Sequence, residues 1–74
     1  MNNVSSEAKI AGLVLKKLVE THYDTQQEFA DDYGIELRSL SRYFKDGITK
    51  IPTVSDLAIF FDVDFAYFFD KKNM

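Results

Sequence analysis

The sequence predicts an all-α fold, a compact bundle of five short helices, and three observations favour it. Apolar residues recur at spacings of three and four along most of the chain, which is typical of helices with one buried face. Two Thr-x-x-acid patterns, Thr25 to Glu28 and Thr53 to Asp56, stand where they can cap helices, and the 74 residues include only three Gly and one Pro. A chain this short buries only about 60% of its unfolded surface, so it has room for one core. We therefore expect a single domain over residues 1–74, with short flexible ends at about 1–5 and 71–74.

The first two helices are marked by their caps and by their apolar stripes. The first should begin near residue 5 or 6, where serines can act as N-caps, and end between residues 21 and 23. Thr25 and Glu28 form a capping box that opens the second helix, and Gly34 supplies the left-handed residue that ends it. The residues expected to face the core are Ile10, Ala11, Val14, Leu15 and Leu18 in the first helix, and Phe29, Ala30 and Tyr33 in the second.

The charge of the chain changes sign where the third helix is predicted, from about Leu37 to Lys45. Six acids and no Lys or Arg lie between Glu20 and Glu36, a local charge of −6. From Leu37 to Ile51 four cations face one acid, a local charge of +3, although the whole chain carries −3. This reversal indicates either two solvated faces or an anion-binding element on an acidic scaffold. The cations are Arg38, Arg42, Lys45 and Lys50.

Two more helices are predicted after the Asp46-Gly47 stop. Thr53 and Asp56 repeat the capping pattern and open a fourth helix that Asp62 ends or bends. Asp64 can cap a last short helix, Phe65–Phe69, before a frayed tail. From this half of the chain, the residues assigned to the core are Leu40, Tyr43, Phe61, Phe65 and Phe68.

Composition argues against several classes of function. The chain has no cysteine and a single histidine, His22, so we expect no disulfide, no metal and no cofactor. Asp31 and Asp32 are neighbours on a helix and point in different directions, so no acid–base pair is assembled and we do not expect an enzyme. No apolar run reaches the roughly 18 residues that a bilayer crossing needs, and no signal-peptide pattern precedes the first helix. We therefore expect no membrane partner and a cytoplasmic location.

The stretch TQQEFADDYGIELRSLSRYFKDG resembles the Cro and phage-repressor type (Xre-like) of helix-turn-helix regulator across both of its helices. The resemblance implies the fold of a phage-repressor DNA-binding domain, with the helix-turn-helix formed by helices 2 and 3 and the recognition helix, about 37–45, in the major groove. It also implies a bacterial, phage or mobile-element origin. The matching residues are Thr25, Gln26, Glu28, Ala30, Gly34, Ile35, Ser41, Arg42, Tyr43 and Gly47, with Gly12, Leu15 and Leu18 upstream and Leu57, Ala58, Val63, Phe68 and Phe69 downstream.

The resemblance implies a sequence-specific regulator of transcription, a repressor that binds an inverted-repeat operator in double-stranded DNA as a homodimer. Arg38 is the best candidate for a bidentate contact to guanine. For Arg42 a bond to an acid, and for Lys45 and Lys50 simple solvation, remain the structural alternatives. The expected base contacts are Leu37, Arg38, Ser39 and Arg42. The expected backbone contacts are Thr25, Gln26, Lys45, Thr49 and Lys50. The aromatic end offers dimer contacts at Phe60, Tyr67 and Phe69.

Several positions depart from the pattern of this family. Glu36 stands where a Ser or Thr cap is usual, and Leu37 where a polar base contact is frequent; we expect Leu37 to be partly packed. Together with the net acidity they keep open a second function, a protein-interaction module of the same fold that has lost DNA binding. The family would also place a buried arginine at Val19 and a glutamate at Phe44. Because replacing both partners of an ion pair with apolar groups leaves no stranded charge, we predict that Val19 and Phe44 touch.

Overall fold

Four α-helices and two short 3-10 helices make up residues 6–74, the part of the chain that this computed structural model describes. The α-helices are α1 (Ser6–His22), α2 (Gln26–Tyr33), α3 (Leu37–Asp46) and α4 (Ile51–Phe61). They are followed by an aromatic 3-10 helix (Phe65–Phe69) and a terminal 3-10 turn (Lys71–Asn73). No strand occurs within the described residues, so the all-α prediction is confirmed, whereas the count of five helices is not.

The central element is α1, which contacts every other helix of the described chain. Its stripe Ala11, Val14, Leu15 and Leu18 is buried, as predicted, and Ile10 packs at the edge of the same core. The other helices each insert apolar side chains against this stripe. The fully buried residues with the largest side chains are Phe29, Phe68, Leu15, Leu40, Leu57, Val14, Val19 and Val54.

Two glycines let α1 and α3 approach to backbone contact. A Cβ atom on Gly12 would overlap the carbonyl oxygen of Tyr43. Gly47 ends α3 with φ of 92°, and a Cβ there would lie 2.6 Å from the carbonyl oxygen of Ala8. That same oxygen accepts a hydrogen bond from Ile48 N at 2.9 Å. A side chain at either glycine would therefore push the two helices apart.

The fourth helix begins earlier than the sequence predicts. It starts at Ile51 with Lys50 as its N-cap residue, and Thr53 does not cap it. The amides of Thr53 and Val54 both bond to the carbonyl oxygen of Lys50, at 3.1 and 3.3 Å. Pro52 explains the shift, because its fixed φ and missing N–H suit the first turn of a helix. Asp62 ends α4, as expected, and it adopts the left-handed conformation there.

The predicted fifth helix is of the 3-10 type, and the Asp64 side chain does not cap it. Its bonds span three residues, from Tyr67 N to Asp64 O at 3.0 Å and from Asp70 N to Tyr67 O at 3.4 Å. A segment of five residues has room to insert one ring into the core, and that ring is Phe68. The assignment of Phe65 to the core is wrong: it is 41% exposed and packs on Phe69, with ring centroids 5.2 Å apart.

The segment after Asp70, for which the sequence predicts a frayed tail, forms the terminal 3-10 turn. The Asp70 carboxylate accepts from Lys72 N at 2.9 Å and caps this turn. The side-chain amide of Asn73 donates to Tyr67 O at 3.0 Å and ties the turn to the aromatic 3-10 helix. These bonds explain why the tail is structured. The flexible end that the sequence predicts at residues 1–5 lies outside the described residues.

Val19 and Phe44 both belong to the apolar core, as the paired substitution predicts. Val19 is 1% exposed, and Phe44 is partly buried against the same cluster. No charged or polar side chain is buried within residues 6–74. The direct contact between the two side chains stays a prediction.

Candidate nucleic-acid interface

The connection between α2 and α3 is a three-residue turn that Gly34 makes possible. Gly34 has φ of 92° and ψ of 36°, the left-handed conformation that the sequence predicts for it. Its amide and that of Ile35 both donate to the carbonyl oxygen of Ala30, at 2.9 and 3.0 Å. Since these bonds close α2 and redirect the chain at once, α3 packs against α2 directly after the turn.

The start of α2 is held by the predicted capping box. The Thr25 hydroxyl accepts from Glu28 N at 3.1 Å, and Thr25 N donates to the Glu28 carboxylate at 3.2 Å. Gln26 is half-buried at the first position of the helix, and Thr25 is exposed. Both side chains therefore lie beside the free N–H groups of a helix N-terminus, where an anion is stabilised.

The third helix divides cleanly into an apolar and a basic face. Leu40 is fully buried, and Tyr43 is half-buried against the core. Residues two positions away from a buried one point to the opposite side of a helix, since each residue turns the chain by about 100°. The exposed side chains on that opposite face are Arg38, Arg42 and Lys45.

The arginines of α3 form no ion pair with the described part of the chain. Arg38 and Arg42 are exposed, and neither forms an ion pair with a carboxylate of residues 6–74. The ion pair found in that range joins Lys72 and Asp70, at 4.0 Å. Both guanidinium groups are therefore available to a ligand, and the pairing of Arg42 with an acid is not observed.

The N-terminal end of α3 carries the other expected base contacts. Leu37 is 37% exposed and Ser39 is half-buried. Glu36 occupies the N-cap position, is exposed, and makes no capping hydrogen bond with its side chain. Its charge lies at the positive end of the helix dipole and next to the basic face, where it would oppose a phosphate group.

A cleft of about 310 Å³ joins the end of α3 to the start of α4. It brings together Arg42, Thr49 and Lys50, three residues that the sequence assigned to a DNA contact. Thr53 and Asp46 also line this cleft, and the sequence reasoning missed both. The sequence predicts that Thr53 caps α4. Because α4 begins at Ile51, Thr53 is not a cap and lines the cleft instead. Arg38, Lys45, Thr25 and Gln26 lie outside the cleft.

The expected dimer contacts differ in exposure. Phe60 is 39% exposed, and its ring packs edge-on against Tyr33 with centroids 5.1 Å apart. Tyr67 and Phe69 are half-buried against the core. Phe65, which the sequence predicts to be buried, is exposed beside one of these residues, since its ring packs on that of Phe69.

Within residues 6–74, no three acidic or histidine side chains are gathered in a way that could hold a metal ion. No helix of this range has the length and hydropathy that crossing a membrane requires. In the comparisons with known proteins, no family model, curated protein or solved structure matches the chain.

Proposed function

We propose that this protein binds double-stranded DNA sequence-specifically and represses transcription, with α3 as the recognition helix of a helix-turn-helix. The observation that carries the proposal is the basic face of α3. Its exposed side chains Arg38, Arg42 and Lys45 have no carboxylate partner among the described residues, and the opposite face is anchored by the buried Leu40. Cations on one side of a rigid helix can enter the major groove together.

The surroundings of α3 support this proposal. A short turn with a left-handed glycine joins two packed helices, which is the arrangement that a helix-turn-helix requires. The capped N-terminus of α2 presents Thr25 and Gln26 for a phosphate contact. Lys45 at the end of the basic face, and Thr49 and Lys50 beyond it, are exposed and suit contacts to the backbone of the duplex.

The roles proposed for these residues are different. Arg38, with Leu37, Ser39 and Arg42, reads base edges, since a guanidinium can donate two bonds to one guanine. The hydroxyl and ammonium groups outside α3 position the protein on the backbone and carry no sequence information. The mechanism requires no catalysis: occupancy of an operator excludes other proteins from it.

A second candidate function is a protein-interaction module that keeps this fold without binding DNA. Glu36 favours it, because its exposed carboxylate makes no capping bond and lies at the start of the proposed recognition helix. The net charge of −3 and the apolar Leu37 point the same way. A duplex-binding experiment at low salt separates the two functions, since phosphate contacts weaken steeply as salt rises.

Selection from random oligonucleotides, followed by fluorescence anisotropy on the selected site, tests the proposed function. We expect Arg38→Ala to cost about 1–3 kcal/mol of binding free energy and to relax the preference at one base pair. Lys50→Ala should weaken all sequences alike and reduce the salt dependence by about one unit of slope. Lys16→Ala, an exposed cation on α1, is the matched control and should change neither.

The outcomes of this experiment are distinct. No binding to any duplex at low salt would favour the interaction module. Equal losses for Arg38→Ala and Lys50→Ala on every sequence would contradict the division between base and backbone contacts. A loss as large for Lys16→Ala would show that only total charge matters.

A further inference from the structure

A second concave surface, built from residues that the proposed DNA interface does not use, lies between the end of α1 and α4. It is a groove of about 360 Å³ lined by His22, Tyr23, Phe60 and Phe61, which we term the aromatic groove. The centroids of the Phe60 and Phe61 rings are 5.2 Å apart at an interplanar angle of 83°, and the His22 and Phe61 rings are 5.7 Å apart. The ring of Phe60 is 39% exposed, so aromatic surface is open to a ligand.

The aromatic groove opens beside four carboxylates. An adjoining cleft of about 570 Å³ shares His22 and Tyr23 with it and is otherwise lined by acids. We call these acids the acidic rim. Because a helix C-terminus carries partial negative charge, the end of α1 at His22 adds to the negative potential there. The acidic rim consists of Asp24, Glu28, Asp31 and Asp32.

Neutral donors hold three of these carboxylates in place. Asp32 accepts from the Tyr23 hydroxyl at 2.7 Å, and Asp31 accepts from the Gln27 side-chain amide at 2.8 Å. Glu28 accepts from the backbone amide of Thr25 at 3.2 Å. No acid of the rim forms an ion pair with a Lys, Arg or His side chain of the described chain. The rim is therefore ordered, and its charge is not neutralised.

We propose that the aromatic groove and its acidic rim form a docking site for an arginine-bearing segment of another protein. A guanidinium group stacks on aromatic rings and forms paired hydrogen bonds with a carboxylate, so one side chain can use both halves of the surface. A lysine uses the charge but stacks less well, and acidic peptides are repelled. Charge complementarity to the rim is what selects this partner.

A second copy of the chain fits the surface less well. The exposed arginines of the described chain lie on α3, so a neighbour would have to insert its recognition face into this groove. Such a head-to-tail contact does not close on itself and leads to open chains of molecules. The aromatic groove and acidic rim contain none of the residues proposed to contact DNA, although Asp24 and Glu28 flank Thr25 and Gln26 in the sequence and Phe60 is also an expected dimer contact.

Fluorescence anisotropy with short labelled peptides tests the proposal on the full chain. The probes are peptides of alternating Arg and Ser, of alternating Lys and Ser, and of alternating Glu and Ser. We expect the arginine peptide to bind, the lysine peptide to bind roughly five times more weakly, and the glutamate peptide not to bind. The affinity for arginine should fall as salt rises, since the rim contributes by charge.

Variants at the groove and rim, with matched controls, locate the site. We expect Phe60→Ala, and separately the double variant Asp24→Asn with Asp31→Asn, to weaken the arginine peptide roughly fivefold or more. Ile59→Ala removes a neighbouring side chain that is 75% exposed, and Asp64→Asn removes an exposed acid outside the rim. Both controls should bind as the parent does. Circular dichroism verifies the fold, and His22→Ala provides a second groove variant at an exposed position.

Three outcomes would overturn the proposal. The first is equal binding of the arginine and lysine peptides that Phe60→Ala does not change, because charge alone would then explain it. The second is no binding of the arginine peptide at low salt. The third is a self-association in sedimentation that His22→Ala abolishes and Phe69→Ala does not, because a second copy would then occupy the groove itself and not the expected dimer contact. Retained peptide binding with no duplex binding would instead refute only the proposed function.

Discussion

The orientation of Arg38 and Arg42 depends on Leu40, which lies midway between them in α3. Leu40 is fully buried in the core. The residues two positions before and after it lie on the opposite side of the helix and therefore point outward. A polar residue at position 40 would bury a polar group in the core and weaken the packing that holds α3 in this orientation. The basic face therefore depends on one leucine as much as on its own cations.

Tyr23 is the residue with the most clearly displaced ionisation. Its hydrogen bond to Asp32, its partial burial and the negative charge of Asp32 together raise the pKa of Tyr23 to about 12. The hydrogen bond is the largest of the three causes, because only the protonated phenol can donate to the carboxylate. An unfolded tyrosine has a pKa near 10.

We expect this bond to stabilise the fold below about pH 10 and to be lost as the pH rises from about 10 to 12. The sign follows from a folded pKa that is higher than the unfolded one. Ultraviolet titration of the parent protein should show a tyrosine ionisation near pH 12, and this ionisation should be missing in Tyr23→Phe. Asp32→Asn should lower the pKa of Tyr23 toward 10, whereas Asp31→Asn should not. An unchanged step near pH 12 in Tyr23→Phe would contradict this assignment.

At the scale of elements, two similar Thr-x-x-acid patterns differ in whether they cap a helix. Thr25 with Glu28 forms a complete capping box, whereas Thr53 with Asp56 does not cap α4. The difference lies one residue before Thr53: Pro52 favours the first turn of a helix, so the helix starts upstream of the second pattern. A local motif can therefore be overridden by a single neighbour.

We expect Thr25→Ala to lower the free energy of unfolding by about 1 kcal/mol, because an N-cap bond is lost. Thr53→Ala should change it by less than about 0.5 kcal/mol, since its side chain caps nothing. Urea denaturation of both variants measures the difference as a shift in the midpoint at constant slope. A larger loss for Thr53→Ala would show that the second pattern stabilises the protein after all.

At the scale of the whole molecule, size and charge shape the proposed mode of DNA binding. The structure measures 33 × 25 × 20 Å. A two-fold dimer that reads two half-sites must hold its α3 helices about one turn of DNA apart, about 34 Å, a spacing close to the longest dimension of one copy. The chain is acidic overall, so tight binding to arbitrary duplexes is disfavoured and site-specific contacts matter more.

We expect two copies to bind an inverted repeat whose half-sites are centred about 10 base pairs apart. Phe69→Ala should weaken this cooperative binding roughly tenfold if the aromatic end forms the dimer contact. Leu13→Ala, an exposed apolar side chain on α1, is the control and should leave it unchanged. Sedimentation of the protein with and without the operator measures the stoichiometry. A single copy on a half-site, with no effect of Phe69→Ala, would exclude this dimer contact.

Much of the architecture could be predicted from local signals, because those signals act within a few residues. The stripe on α1, the capping box at Thr25, the left-handed Gly34 and the exposed cations of α3 all depend on helical period or on short-range hydrogen bonds. Local signals do not predict the 3-10 form of residues 65–69 or the exposure of Phe65. Both depend on how many aromatic rings fit into the space that the other helices leave in the core. The ordered turn after Asp70 depends in part on the carbonyl of Tyr67, which lies six residues before Asn73 in the preceding 3-10 helix.

The sequence alone determined that the chain is helical, where the glycine turns at Gly34 and Gly47 lie, and that a basic segment follows an acidic one, because period, capping and charge are properties of neighbouring residues. Only the tertiary structure decided that Arg42, Thr49 and Lys50 share a cleft. It also decided that aromatic rings of α4 meet the end of α1 beside the acids of α2. These surfaces join residues far apart in the chain, and their assembly depends on the packing of whole helices around α1.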